Sequence, residues 1–227
     1  MHSITQFFFL SVVLSLFLTI AGGGSAEETD AEIPGNGREI VETFSCDQCH
    51  STDGRILIEG VPRLAGQKYE YLLHQLRLFR VGEATYKGEI VASRRHSVMN
   101  RLARRLTDSH FRDIARYYST LKCTAPVSAA PQPAGLPPNI RRCEACHGGR
   151  RTNPWRDSPY LSGPDRTYLE RTIHRLWNSR QDAETDDARY HRLGEIMFVD
   201  ADEPYLDAYA AYFAAIPCAK GEGADAD

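Results

Sequence analysis

The stretch "FSCDQCHSTDG", residues 44–54, sets Cys46 and Cys49 three positions apart and puts His50 directly behind the second. A CxxC pair serves three chemistries: a zinc clip, a redox-active dithiol, and covalent attachment of a haem. A second stretch, "RRCEACHGGRR" (141–151), repeats the pattern at Cys143, Cys146 and His147, so the reading must explain two copies.

Zinc ribbons place their CxxC pairs a couple of dozen residues apart, whereas 93 residues lie between Cys49 and Cys143, and zinc leaves both histidines without a role. A thioredoxin-like dithiol needs an α/β setting, and no alternating strand pattern of useful length is present. Haem attachment uses every member: cysteines at i and i+3 share one helical face and can form two thioethers, while the following histidine turns to the iron. Two covalent haem c groups are therefore expected, on Cys46, Cys49 and His50 and on Cys143, Cys146 and His147.

The repeat extends beyond the cysteines. At an offset of 97 residues, "PRLAG" (62–66) falls on "PYLSG" (159–163) and Tyr71-Leu72 on Tyr168-Leu169. After small slips Met99 matches Met197, and "ARYYSTLKC" matches "AAYFAAIPC", ending at Cys123 and Cys218. Such self-similarity marks a duplicated domain. Uncharged, Pro- and Ala-rich "TAPVSAAPQPAGLPPN" (124–139) reads as an extended connector between the copies. Expected boundaries are a domain at 27–123, the linker at 124–139, a domain at 140–218 and a disordered tail at 219–227.

Within each copy the pattern is helical. Apolar Ile40, Val41 and Phe44 suit a short helix running into the first cysteines. Tyr69, Leu72, Leu73, Leu76 and Phe79 recur at helical spacing, as do Tyr168, Leu169, Ile173 and Leu176. A last helix is expected to open at the N-cap Thr107, and its counterpart at Asp202 with Pro204 in its first turn. So little regular apolar material predicts a core filled partly by something other than side chains.

At the front, "FFFLSVVLSLFLTIA" (7–21) is an uncharged apolar run followed by "GGGSA" and an acidic stretch. It reads as a signal peptide (1–26) cleaved near Ala26, although the preceding residues lack Lys and Arg. The alternative, an uncleaved anchor, falls short of the roughly 20 residues a spanning helix needs. Export to the periplasm follows. Composition is that of an ordinary globular protein, 42% hydrophobic and 25% charged, and a net charge of −3 gives no basis for nucleic-acid binding.

Beyond Met1 in the leader, the chain has two methionines, Met99 and Met197, lying 49 and 50 residues after His50 and His147. Matched positions ahead of each final helix assign them as sixth ligands to iron. His96 and His191 compete but do not align with each other in the repeat. His74, His110 and His174 are expected to face solvent.

Both copies resemble class I c-type cytochromes, and the tandem resembles the two-haem cytochrome c4 family, over about residues 37–218. The carriers are the two CxxCH segments, "PRLAGQ" and "PYLSGP", the helix "YLLHQLRLF", and the segments around Met99 and Met197. The resemblance implies an all-α fold of two tandem domains, each a few short helices wrapped around a covalently bound haem. It also implies that the carbonyls of Pro62 and Pro159 orient the ligating histidines. The second copy departs from the pattern in lacking the glutamine of "PRLAGQ" and in carrying an acidic "DAETDD" (182–187).

His/Met ligation leaves no open position for substrate, which points to an electron carrier and not an enzyme. Three functions stay in view. The first is a respiratory carrier between a quinol-oxidising complex and a terminal oxidase. The second is the haem subunit of a periplasmic dehydrogenase, such as a flavocytochrome oxidising sulfide. The third is an enzyme acting at an opened haem. Redox proteins are the expected partners, with association at the membrane surface as a further option. Arg94, Arg95, Arg101, Arg104 and Arg105 around Met99 read either as a steering patch, paired with the acidic run of the second copy, or as plain solvated surface. Cys123 and Cys218 read either as a disulfide across the copies or as two separate thiols.

Overall fold

The computed structural model describes residues 36–86, 89–123, 135–148, 158–163, 165–178 and 203–217. Leader, tail, residues 182–187, His191, Met197, Asp202 and Cys218 lie outside the described residues. No described helix is long and apolar enough to cross a membrane.

The first copy opens with α1 (Asn36–Thr43), which buries Ile40 and Val41. The expected helix into the cysteines is interrupted. The Cys46 N–H donates to the Val41 carbonyl at 2.9 Å and the Ser45 N–H to that of Glu42 at 3.1 Å, closing α1 in a Schellman turn with Ser45 at φ 54°. The chain then re-enters a single helical turn, α2 (Asp47–His50). α3 (Tyr69–Val81) buries Leu72, Leu78 and Phe79 and stops at Gly82, whose φ of 78° suits glycine. Of its predicted stripe, Tyr69, Leu73 and Leu76 are only partly buried against the same cluster.

One feature departs from a purely helical reading. Residues Glu83–Tyr86 (β1) pair antiparallel with Glu89–Ser93 (β2) in a two-stranded hairpin with a register irregularity at Ala84/Thr85. The strands are too short for alternation to stand out in the sequence, although Thr85, Ile90 and Val91 favour extended backbone. The all-α class holds, with the hairpin as an excursion between helices.

α4 (Ser97–Ala103), which carries Met99, is fastened by a buried amide. Asn100 Nδ2 donates to the carbonyls of Phe79 at 2.6 Å and Arg94 at 2.8 Å, and Asn100 Oδ1 accepts from the His96 N–H. One side chain thus ties the turn bearing Met99 to the end of α3 and to the strand exit. α5 (Asp108–Thr120) opens at Thr107 as predicted: Thr107 Oγ1 accepts from the His110 N–H at 3.2 Å, and His110 Nδ1 accepts from the Thr107 N–H. His110, expected in solvent, is instead half-buried in this capping box, its ring 6.0 Å from that of Phe44. α1 crosses α5 at Gly37, and Val41, Phe111, Ala115 and Tyr118 form the fully buried centre of the first cluster.

The second copy repeats the plan. α6 (Ile140–His147) carries both cysteines and the histidine without interruption. α7 (Arg166–Asn178) lies 97 residues after α3 at both ends. A 3₁₀ turn, Glu203–Tyr205, leads into α8 (Leu206–Ala214), so the last helix becomes α-helical later than expected, after Pro204. Ile140, Leu169, Leu206, Tyr209 and Phe213 make the second cluster. His174, also expected in solvent, is partly covered and sits 2.8 Å from the Asp207 carboxylate, joining α7 to α8. His74 is exposed as predicted.

Cys123 is disulfide-bonded. Its neighbour is Gly54, at φ +80°, where an added Cβ would fall 2.3 Å from the Cys123 sulfur. The segment after the first CxxCH motif therefore packs directly on that bridge.

Two substitutions test this architecture in denaturant unfolding. A Cβ at Gly37 would lie 2.7 Å from the Asp113 carbonyl oxygen and 2.8 Å from Tyr117 Cβ, so Gly37→Ala is expected to cost about 1–3 kcal/mol by forcing α1 off α5. Asn100→Ala strips two carbonyls of their donor and is expected to cost roughly 2–4 kcal/mol.

Candidate haem-attachment sites and the seam between them

Each histidine is set by one hydrogen bond. His50 Nδ1 lies 2.8 Å from the Pro62 carbonyl oxygen, and His147 Nδ1 lies 2.8 Å from that of Pro159. A carbonyl only accepts, so each Nδ1 carries the proton and each Nε2 presents its lone pair. Burial holds His50 below its ordinary pKa against the opposing pull of the Pro62 carbonyl, with His96 nearby adding to the depression. The ring is therefore neutral, the form that ligates a metal.

Cys46, Cys49 and Cys143 are thiols outside any disulfide. Burial, then Asp47, pushes the Cys46 thiol up to about 11, and burial pushes Cys143 up to about 11. Both stay protonated and inert as nucleophiles towards disulfides at neutral pH. Among the described residues no group of three or more His, Cys, Asp or Glu could hold a metal ion.

Covalent haem fits what is present. Two cysteines and a histidine whose Nδ1 sits on a carbonyl stand on one turn in each copy. Buried polar atoms lack protein partners at Arg63 Nε, Tyr118 OH and Ser162 Oγ. Arg63 is only 7% exposed, and burial depresses its pKa while Asp165 raises it. A buried guanidinium with an idle donor suits the carboxylates that a haem brings. Tyr118 is shifted up by burial and by Cys46 and Asp47, which places its hydroxyl in the surroundings of the first CxxCH motif.

Met99 is half-buried against the first cluster, and its N–H donates to His96 Nδ1 at 3.3 Å. His96, weighed as a rival ligand, is exposed and caps α4. Met197 and His191 lie outside the described residues. Arg95, Arg101, Arg104 and Arg105 are exposed around Met99, whereas Arg94 is buried, donating to Gln75 at 2.9 Å and stacking on Phe79 at 4.4 Å. Four of the five arginines thus meet solvent.

The two proline loops face each other. Gln67 Nε2 donates to the Tyr160 carbonyl at 3.0 Å and Gln67 Oε1 accepts the Tyr160 N–H at 2.9 Å. Lys68 lies over the Tyr160 ring at 4.7 Å, the Gly60 N–H donates to Asp165, and Thr167 Oγ1 donates to Glu59 at 2.7 Å. Sequence reading singled out neither Gln67 nor Asp165 as a contact. The usable signal was the loss of the glutamine from the second "P-x-L-x-G" segment, which shows that the two loops are not interchangeable.

No protein-family model matches the chain. It is 31% identical over 147 residues to a thiosulfate dehydrogenase electron acceptor of Thiomonas intermedia (strain K12), covering 58% of this chain and 62% of that protein. It is 30% identical over 140 residues to a cytochrome c4 of Thiocapsa roseopersicina, covering 56% of this chain and 67% of that one. The match therefore spans less than two thirds of the Thiomonas protein. In fold, it is similar to reduced recombinant cytochrome c4 from Pseudomonas stutzeri, with a TM-score of 0.59 at 21% identity over 79% of this chain and 98% of that one. Duplicated CxxCH turns, the proline carbonyl behind each histidine and this likeness together place the chain in the cytochrome c4 family of two-haem c-type cytochromes.

Proposed function

We propose that the chain is an exported electron carrier with two haems. Cys46 and Cys49 would hold the first through thioethers, and His50 and Met99 would ligate its iron. Cys143, Cys146, His147 and Met197 serve the second. The domains run over 27–123 and 140–218, after a leader that is removed near Ala26, and the mature protein works in the periplasm. The observation that carries this reading is the repeated bond from His Nδ1 to a proline carbonyl, 2.8 Å in both copies.

When bound, the haem supplies one-electron exchange at an iron whose potential is raised by the methionine ligand. The chain's residues supply the rest. Pro62 and Pro159 fix ring orientation and keep the proton on Nδ1. Asn100 holds the turn that delivers Met99, so the ligand need not move when the charge on the iron changes. With a histidine and a methionine both held by the iron, no place would be left for a substrate, which argues against an enzyme.

Val98 is 54% exposed beside Met99, and Arg101 follows it at i+3 on the same face of α4. An apolar spot ringed by arginines suits brief docking of a redox partner. The Thiomonas relative is by name an electron acceptor of a thiosulfate dehydrogenase. That name favours a periplasmic dehydrogenase of sulfur compounds as donor over a quinol-oxidising complex, and a terminal oxidase suits the acceptor side.

Optical redox titration of the matured protein tests the assignment. Two haems per chain, a methionine-to-iron band in the oxidised form and no carbon monoxide binding in the reduced form are expected. Met99→Ala should open one haem of the two to carbon monoxide; binding at neither would sink Met99 as a ligand. Non-reducing peptide mapping is expected to join Cys123 to Cys218, and a Cys218 peptide that alkylates without reduction would refute that pairing.

A further inference from the structure

One peptide unit on the seam is held from both ends. The Pro159 carbonyl accepts from His147 Nδ1 at 2.8 Å, and the N–H of the same peptide group, that of Tyr160, donates to Gln67 Oε1 at 2.9 Å. A peptide is planar and rigid, so tilting its N–H tilts its carbonyl. The two bonds also polarise each other: a peptide whose N–H is engaged has a more basic carbonyl oxygen.

Gln67 is well built for this grip. It is 8% exposed, its own N–H donates to Leu64 at 3.0 Å, and its Oε1 also accepts the Lys68 N–H at 3.0 Å. Its Nε2 closes the ring on the Tyr160 carbonyl. The amide therefore reaches across fully anchored, at little further entropic cost. No reciprocal arm is available from the other side. Ninety-seven residues on, the sequence has Pro164, whose side chain neither donates nor accepts.

We propose that Gln67 is a positioning residue for His147, so that a side chain of the first copy sets the potential of the second haem while leaving the first untouched. This rests on His50 and His147 being the axial ligands. A stronger bond from Nδ1–H to its carbonyl makes the imidazole a more basic ligand, which favours the oxidised metal and lowers the potential. Releasing the Tyr160 N–H weakens that bond, and the potential of the second centre rises.

The test uses the full-length matured protein with Gln67→Leu and Gln67→Glu. Hydrogen exchange follows the Tyr160 amide, and NMR-resolved redox titration follows each centre. In Gln67→Leu the Tyr160 amide should exchange about tenfold faster, the equivalent of one lost hydrogen bond. The centre held by His147 should rise in potential while that of His50 stays put. Gln67→Glu keeps an acceptor, so the amide should stay protected and the His147 centre should not rise. Equal shifts at both centres, an unmoved His147 centre in Gln67→Leu, or an unprotected Tyr160 amide in Gln67→Glu would overturn the proposal. The ligand reading is tested apart, by haem count and by assigning the wild-type axial imidazole to His147; its failure would leave the amide-exchange result standing.

Discussion

The bond between a histidine Nδ1 and a proline carbonyl organises this molecule. A histidine on a short turn has a freely rotating ring and two tautomers. Fixing one nitrogen on a carbonyl twelve residues away removes both freedoms and leaves the other nitrogen as the one turned outward from that bond. The surroundings follow from that need. The loop carrying Pro62 is pinned by the Gly66 N–H on the Tyr118 carbonyl at 2.9 Å, and Tyr118 is itself a fully buried member of the first cluster. Core packing, backbone hydrogen bond and ring orientation form one chain of constraint from α5 to His50.

The copies solve the same problem with different stiffness. In the first, a left-handed serine separates the supporting helix from the single turn bearing the motif. In the second, one helix runs through. Compensation in the first copy comes from outside the turn: Gly54 lies on the Cys123 disulfide, and Phe44 is held between His110 and the guanidinium of Arg105, 5.7 Å from its ring. A weaker local element is thus braced by tertiary contacts, as is usual where propensity alone would fray.

Much of this was legible in the residues. The CxxCH spacing and the 97-residue offset announced two helical units, and Thr107 announced the start of α5. What stayed hidden depended on partners distant in sequence. His174 looked like a surface residue because nothing local shows that Asp207 will engage it, whereas His110, three residues after the expected cap at Thr107, was within reach of a capping-box reading. The hairpin at 83–93 was hidden by strand brevity. Asn100 read as an ordinary polar residue, since only the folded chain brings the Phe79 and Arg94 carbonyls to its amide. Tertiary hydrogen bonds leave little trace in periodicity, which records only the division between water and core.

The seam carries a consequence for how such a molecule arose. Lys68 and Asp165 occupy corresponding places, 97 residues apart, and both are buried, yet they bear opposite charge. A pair of identical first copies meeting through this face would bring an ammonium group to the spot where Asp165 now receives the Gly60 N–H and offsets Arg63. Removing two like charges from water together is strongly unfavourable. The duplicated halves have become lock and key, each recognising the other and not itself. Two neighbouring molecules exchanging halves would still have to match unlike with unlike, and the short tether within one chain makes that match with its own sibling first.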